Sequence, residues 1–205
     1  MSEGITRERI VEAALGLIAA GGLAAFSMRR LADELDVRVN TIYWHVPNKQ
    51  ELLAAVGERI VGGELPAARP MPGAVDEAIA AATAIAGELR RRMLAVRDGG
   101  EIVALARAKH PGEFAPARRL AEVLTPVLDW GAAQAGEIIA VFVIGATIEE
   151  QTRRELVLVD EEAAGRHDLD REGLVGRGLE ALLVGLVPGA QASSSSASAC
   201  RASRT

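Results

Sequence analysis

Cysteine is all but missing from this 205-residue chain, whose one thiol, Cys200, stands in a serine-rich stretch near the C-terminus. A single cysteine builds neither an internal disulfide nor a cysteine metal site, so a disulfide-stapled secreted scaffold is excluded and a cytoplasmic location is expected. Aromatic residues are nearly as scarce, at 3% with one tyrosine and two tryptophans. That scarcity argues against folds built from aromatic and β-branched strand pairs. The N-terminus has no basic region followed by an apolar core, the pattern of a secretory signal. The longest apolar run, Ile138 to Ile148, stops at Glu149 and Glu150 and is far short of the ~20 residues of a bilayer span. A buried helix is expected there, and no membrane partner.

Positive charge is also lacking, with a formal net charge of −5. Taken alone, that balance opposes nucleic-acid binding, which usually leaves a basic footprint. Residues 1–60 carry seven Lys/Arg against eight Asp/Glu. Position must then outweigh sum, and Arg29, Arg30, Arg38 and Lys49 do fall in one short stretch. The chain has no phosphate-cradling glycine loop, no zinc-spaced His/Cys set and no nucleophile elbow. Neither an enzyme nor a bound metal or cofactor is expected.

What remains is helix-forming sequence, 49% hydrophobic and 25% charged, led by alanine, leucine, glycine and arginine. An all-α fold follows. Thr6 suits an N-cap, and Ile10, Ala14, Leu17 and Ile18 share one face of a helix over about 7–20 that stops at Gly21-Gly22. Ser27 caps a short helix, 28–35, with Leu31, Ala32 and Leu35 inward, and Asp36 takes the turn. A second short helix covers 39–45. Asn48 to Glu51 then forms a capping box opening a helix that ends at Gly62-Gly63. Pro66, Pro70 and Pro72 mark a loop, and further helices are expected at about 74–95, 101–109, 115–130, 134–159 and 171–187, with Pro126 ending or kinking its own. A charged loop surrounds Gly165 to Asp168. The implied organisation is a reading head (1–47), a connecting helix (48–63), a helical body (64–187) and a serine-rich tail (188–205) unable to build a core.

Two short helices joined by a tight turn and packed on a longer one make the skeleton of a helix-turn-helix. The second, Arg38-Val39-Asn40-Thr41-Ile42-Tyr43-Trp44-His45, has one apolar inward position at Ile42 and otherwise donors, acceptors and ring faces suited to bases and phosphates. Tyr43 is expected to point out to a phosphate. Trp44 reads equally as a plug between the first and fourth helices or as a groove contact. His45, Arg29 and Lys49 are each ordinary surface groups, and their joint spacing is what suggests DNA.

Residues 5–60 resemble the DNA-binding head of the TetR family, through Ile10, Ala13-Ala14, Leu17-Ile18 and Gly22, then Ser27-Met28-Arg29-Arg30-Leu31-Ala32, then Thr41-Ile42-Tyr43-Trp44-His45-Val46-Pro47-Asn48-Lys49. The run Tyr-Trp-His-Val-x-Asn-Lys is the form of the tetracycline-repressor branch. Weaker similarity follows at Arg97-Asp98-Gly99, Gly145 to Gln151 and Gly178 to Leu186. The resemblance implies base contacts from Arg29, Val39, Asn40 and Thr41 and phosphate or groove-wall contacts from Ser27, Tyr43, His45 and Lys49, with Met28, Arg38 and Trp44 beside them. It also implies a homodimer through the two terminal helices, and an effector pocket lined by Ile85, Leu89, Val103, Arg107, Val141 and Glu149, with Trp130 and Phe142 nearby. The function so implied is a repressor that binds palindromic double-stranded operator DNA and is released by a small, largely apolar effector. Asp36 stands where the family usually has a turn glycine, and Val39-Asn40 departs from the branch. Val103 and Val141 replace pocket histidines of the branch, one a direct metal ligand, so a magnesium–tetracycline chelate is not the expected effector. The alternative is a helical small-molecule-binding protein without DNA function, in which Arg29, Thr41, Tyr43 and Lys49 would be coincidental.

Overall fold

A computed structural model describes residues 5–128, 131–159 and 171–187, with helices and no strand among them. Trp130, the charged loop around 165–168 and the tail from 188 lie outside the described residues. Helix α1, Arg7–Ala25, starts where the Thr6 hydroxyl accepts a hydrogen bond from the Arg9 N–H at 3.3 Å. Ile10, Ala14 and Ile18 are fully buried along one stripe. Its helical geometry breaks at Gly22, whose φ of 75° lies in the left-handed region that glycine enters without strain. One further turn then carries the chain to Phe26.

Helix α2, Met28–Glu34, is capped by Ser27, whose hydroxyl accepts from the Arg30 N–H at 3.2 Å. Helix α3, Val39–His45, follows a turn at Asp36, whose φ of 52° shows the aspartate filling the left-handed position. Helix α4, Lys49–Val61, begins with the Asn48 side chain accepting from the Glu51 N–H at 2.9 Å. Only this half of the expected capping box is seen, because the Glu51 carboxylate turns to Lys109, 2.5 Å away. The body continues with α5 (Val75–Leu94), α6 (Gly99–Lys109), α7 (Ala115–Leu124), α8 (Ala132–Val159) and α9 (Arg171–Leu186). Pro126 ends the helix expected over 115–130: α7 gives way to a single 3-10 turn, Thr125–Val127, since proline has no N–H for an interior helical bond.

One hydrophobic core runs through head and body. Leu52 and Val56 of α4 are fully buried, and α4 packs on both α1 and α6. Helix α6 comes close at Gly57, where an added Cβ would lie 2.6 Å from the Ala106 Cβ and 2.8 Å from the Ile102 carbonyl oxygen. Helix α8 buries Ala135, Ile139, Ala140, Val143, Ile144 and Thr147 against its neighbours. By length and composition its stretch Ala132–Val157, with a mean hydropathy of 1.5, would also suit a bilayer. The buried stripe, together with the pairs of Glu137 with Arg107 of α6 and of Glu150 with Arg90 of α5, packs this helix into the body.

Candidate nucleic-acid interface and sensing cavity

Helices α2 and α3 bury Met28, Leu31, Ala32 and Ile42 and turn the rest outward. Arg29, Arg38, Asn40, Tyr43, Trp44 and His45 are exposed together, with Ser27, Val39 and Thr41 half-buried between them. Trp44 is 88% exposed, which removes the core-plug alternative for this residue, and Tyr43 is 43% exposed. The phase of α3 explains this, because a seven-residue helix has room for one core position and Ile42 takes it. Met28 is 8% exposed and faces the core, so its part is to seat α2. Lys49 donates to the Phe26 carbonyl at 3.0 Å and lies 5.3 Å from the Phe26 ring centroid, tying the start of α4 to the end of α1. Near this face the Glu8 carboxyl is held below its ordinary value, first by hydrogen bonding to its own backbone N–H and then by the Thr6 hydroxyl.

Head and body meet at two further places. The Leu23 N–H, at the kink of α1, donates to Asp98 Oδ2 at 2.6 Å. Asp98 caps the start of α6 with a φ of 56°. Its turn is in turn clamped by Gln151 of α8, which accepts from the Gly100 N–H at 2.9 Å and donates to the Val96 carbonyl at 2.8 Å. On the other side, α6 reaches α4 through the Lys109 to Glu51 pair and through His110, 3.8 Å from Glu58. The hydrogen bond from Lys109 is the main reason the Glu51 carboxyl stays below its usual range.

A cavity of about 310 Å³ lies between the end of α4, the end of α6 and the start of α7. Glu58, Val61, Ala106, Arg107, His110 and Phe114 are among its walls. Arg107 pairs with Glu137 through Nη2, while its buried Nε has no hydrogen-bond partner among the described residues. The other residues assigned to a pocket by resemblance are dispersed. Ile85, Leu89 and Val103 are fully buried in closed packing. Phe142 and Glu149 line a smaller cleft of about 180 Å³ between α8 and α9, where Glu149 accepts from Arg153 at 3.0 Å. Val141 is 51% exposed on the opposite side of α8 from its buried stripe. Glu58, His110 and Phe114 carried no sequence signal of their own, the last two falling between the helices expected at 101–109 and 115–130.

Comparison with known proteins gives consistent likenesses. The family profile described as "Bacterial regulatory proteins, tetR family" matches residues 10–56. The tetracycline repressor protein class C of Escherichia coli is 30% identical over 148 residues, covering 72% of this chain and 67% of that protein. The class D repressor of Escherichia coli is 32% identical over 98 residues, 48% of this chain, and the match spans only 44% of that protein. Among solved structures, the TetR family protein ActR of Streptomyces coelicolor in complex with actinorhodin superimposes with a TM-score of 0.74 at 29% identity, covering 92% of this chain and 99% of that one. BioQ with its double-stranded DNA operator gives a TM-score of 0.70 at 26% identity, covering 90% and 99%.

Proposed function

The chain belongs to the TetR family of bacterial regulatory proteins, and on that premise we propose that it is a cytoplasmic, ligand-responsive transcriptional repressor that binds a two-fold symmetric operator as a homodimer. The observation that carries this reading is the outward row on α2 and α3, above all a tryptophan left 88% exposed beside Arg29, Asn40, Tyr43 and His45. An indole so open to water suits a groove wall or sugar-phosphate surface supplied by a partner. Arg29, Val39, Asn40 and Thr41 take the base edges, and Ser27, Arg38, Tyr43, His45 and Lys49 the phosphates and groove walls. The operator carried by BioQ in its solved complex supports a DNA partner.

Dimerisation is supported by apolar side chains on the last two helices: Ile138, Val141 and Leu156 on α8 and Leu174 on α9 are 44–59% exposed in the single chain. A second copy would cover them and set two α3 helices about 34–36 Å apart, or a multiple of that, one duplex turn. The effector is a small, largely apolar molecule held by few polar groups, and the actinorhodin complex of ActR supports a small-molecule partner for a related body. Its entry lies beside Arg107, in the cavity walled by the end of α4. Contact with Ile85, Leu89 and Val103 requires opening their packing. An effector that binds better when the heads are misplaced shifts the population away from DNA.

Fluorescence anisotropy with the intergenic DNA beside its own gene tests the reading. Dimeric protein should bind a palindrome there far more tightly than one half-site. Arg29→Ala should relax preference at one base pair, whereas Lys49→Ala should weaken all sequences alike. A monomer binding a half-site as tightly as the palindrome, or no preference for any segment of that DNA, refutes it. Release by micromolar tetracycline that depends on added magnesium would refute the apolar effector.

A further inference from the structure

The body end of α4 is held by a single side chain of α5. The Arg92 guanidinium donates through Nη1 to the carbonyls of Val61 at 2.8 Å and Gly62 at 2.6 Å, and through Nη2 to that of Glu64 at 2.6 Å. Its Nε donates to Glu88 one helical turn back, at 2.7 Å, and the Arg92 side chain is only 13% exposed. The last carbonyls of a helix have no donors within it and carry the negative end of its dipole. One planar cation here meets both needs and reaches on to Glu64, two residues beyond Gly62. Beyond it, Arg119 of α7 donates to the carbonyls of Pro66 and Ala68 at 3.2 and 2.7 Å. Carbonyls 62, 64, 66 and 68 are thus taken in alternation by two arginines, the two-residue period of extended chain.

We propose that Arg92 is a positioning residue that pins the body end of α4, so that the head swings about that end and does not slide along α5. The inference rests on the repressor reading above, in which head orientation decides DNA binding. The other ties of α4 differ in kind. Lys49 binds within the head, Arg59 pairs with Glu12 of α1, and Glu51 and Glu58 face Lys109 and His110 at the end of α6, next to the cavity. Movement of α6 therefore acts on the free part of a lever whose far end stays fixed. A helix of 13 residues is about 20 Å long, so a tilt of ~10° carries its head end through ~3.5 Å.

The test uses the full chain with Cys200→Ser and a spin label at Glu34→Cys, an exposed head position outside the reading face. Arg92→Ala should broaden the distance distribution between the two heads, raise hydrogen exchange in the α4 amides and lower operator affinity about tenfold, within the roughly 5–150-fold span of inter-site coupling. Arg92→Lys keeps the charge but not the fork, and should show the same changes to a smaller degree. It carries the test if Arg92→Ala does not fold. Arg119→Ala should loosen residues 66–68 and leave head spread, α4 exchange and affinity at parental values. Parental spread and exchange in both Arg92 variants, or equal broadening by Arg119→Ala, would overturn the assignment. If the parent shows no distance between heads because it is monomeric, the homodimer reading fails, and α4 exchange still decides the role of Arg92.

Discussion

Replacing Gly57 by alanine probes how tightly α4 is locked to α6. The new Cβ would sit 2.6 Å from the Ala106 Cβ and 2.8 Å from the Ile102 carbonyl oxygen, where ordinary contact begins near 3.4 Å. The helices must part by roughly 0.8 Å at this point, and overpacking of this sort costs about 1–3 kcal/mol. Alanine returns ~0.8–1 kcal/mol through its better helix propensity, so the net loss should be ~0–2 kcal/mol, a fall in Tm of up to ~8 °C for a chain of this size. The decisive quantity is the coupling with Ala106→Gly. In the parent that change only loses packing and propensity, whereas in the Gly57→Ala background it removes the worse of the two contacts. Urea denaturation of the parent, both single variants and the double variant should give a favourable coupling of at least ~0.5 kcal/mol. Operator binding by Gly57→Ala should weaken by more than its stability loss explains, because α4 is tilted as well as strained. Additive stabilities within ~0.3 kcal/mol, the usual scatter for independent sites, would refute the close helix contact.

Three further outcomes are expected. Asp98→Ala should cost about 1–3 kcal/mol in urea melts by leaving the Leu23 N–H without its partner, while Asp98→Asn, which keeps an acceptor and tolerates positive φ, should lose less; equal losses would remove the role given to that bond. Glu88, hydrogen-bonded by Arg91 and Arg92, has its carboxyl pulled down from 4.5 to about 2, so its contribution is complete above pH 4.5 and is lost as pH falls toward 2. Glu88→Gln should flatten that acid limb when unfolding is followed by circular dichroism, and an unchanged limb would count against the ion-pair geometry. Trp44→Ala should leave stability within the small range typical of surface changes, about ±0.5 kcal/mol, yet weaken operator binding measured by anisotropy; a large loss of stability would contradict the exposure of this side chain.

Much of the head was legible because its signals are local. Thr6, Ser27 and Asn48 cap the helices they were expected to cap, and Asp36 takes the left-handed turn. Each depends on atoms within four residues. Trp44 stayed ambiguous because a single apolar ring on a short helix fits core or groove, and only the phase fixed by Ile42 decides. The body was harder to read. Val103 and Val141 look alike in sequence, yet one is fully buried and the other half exposed, since helix phase relative to neighbours sets burial. The contacts of Arg92, Asp98 and Gly57 join segments 28 to 75 residues apart or turn on helix separation, and no spacing rule marks them.

The bond between Leu23 and Asp98 also orders events in time. Its partners are 75 residues apart, so a chain made at about 5–20 residues per second presents the kink of α1 some 4–15 s before its acceptor exists. During that interval α1 and α2 have their own caps but not the α5–α6 turn to rest against. The Leu23 N–H then lacks the carboxylate acceptor it has in the complete fold. Completion of the head therefore waits on the body during synthesis, and a truncated chain ending before residue 98 would carry the reading helices without the contact that sets the kink behind them.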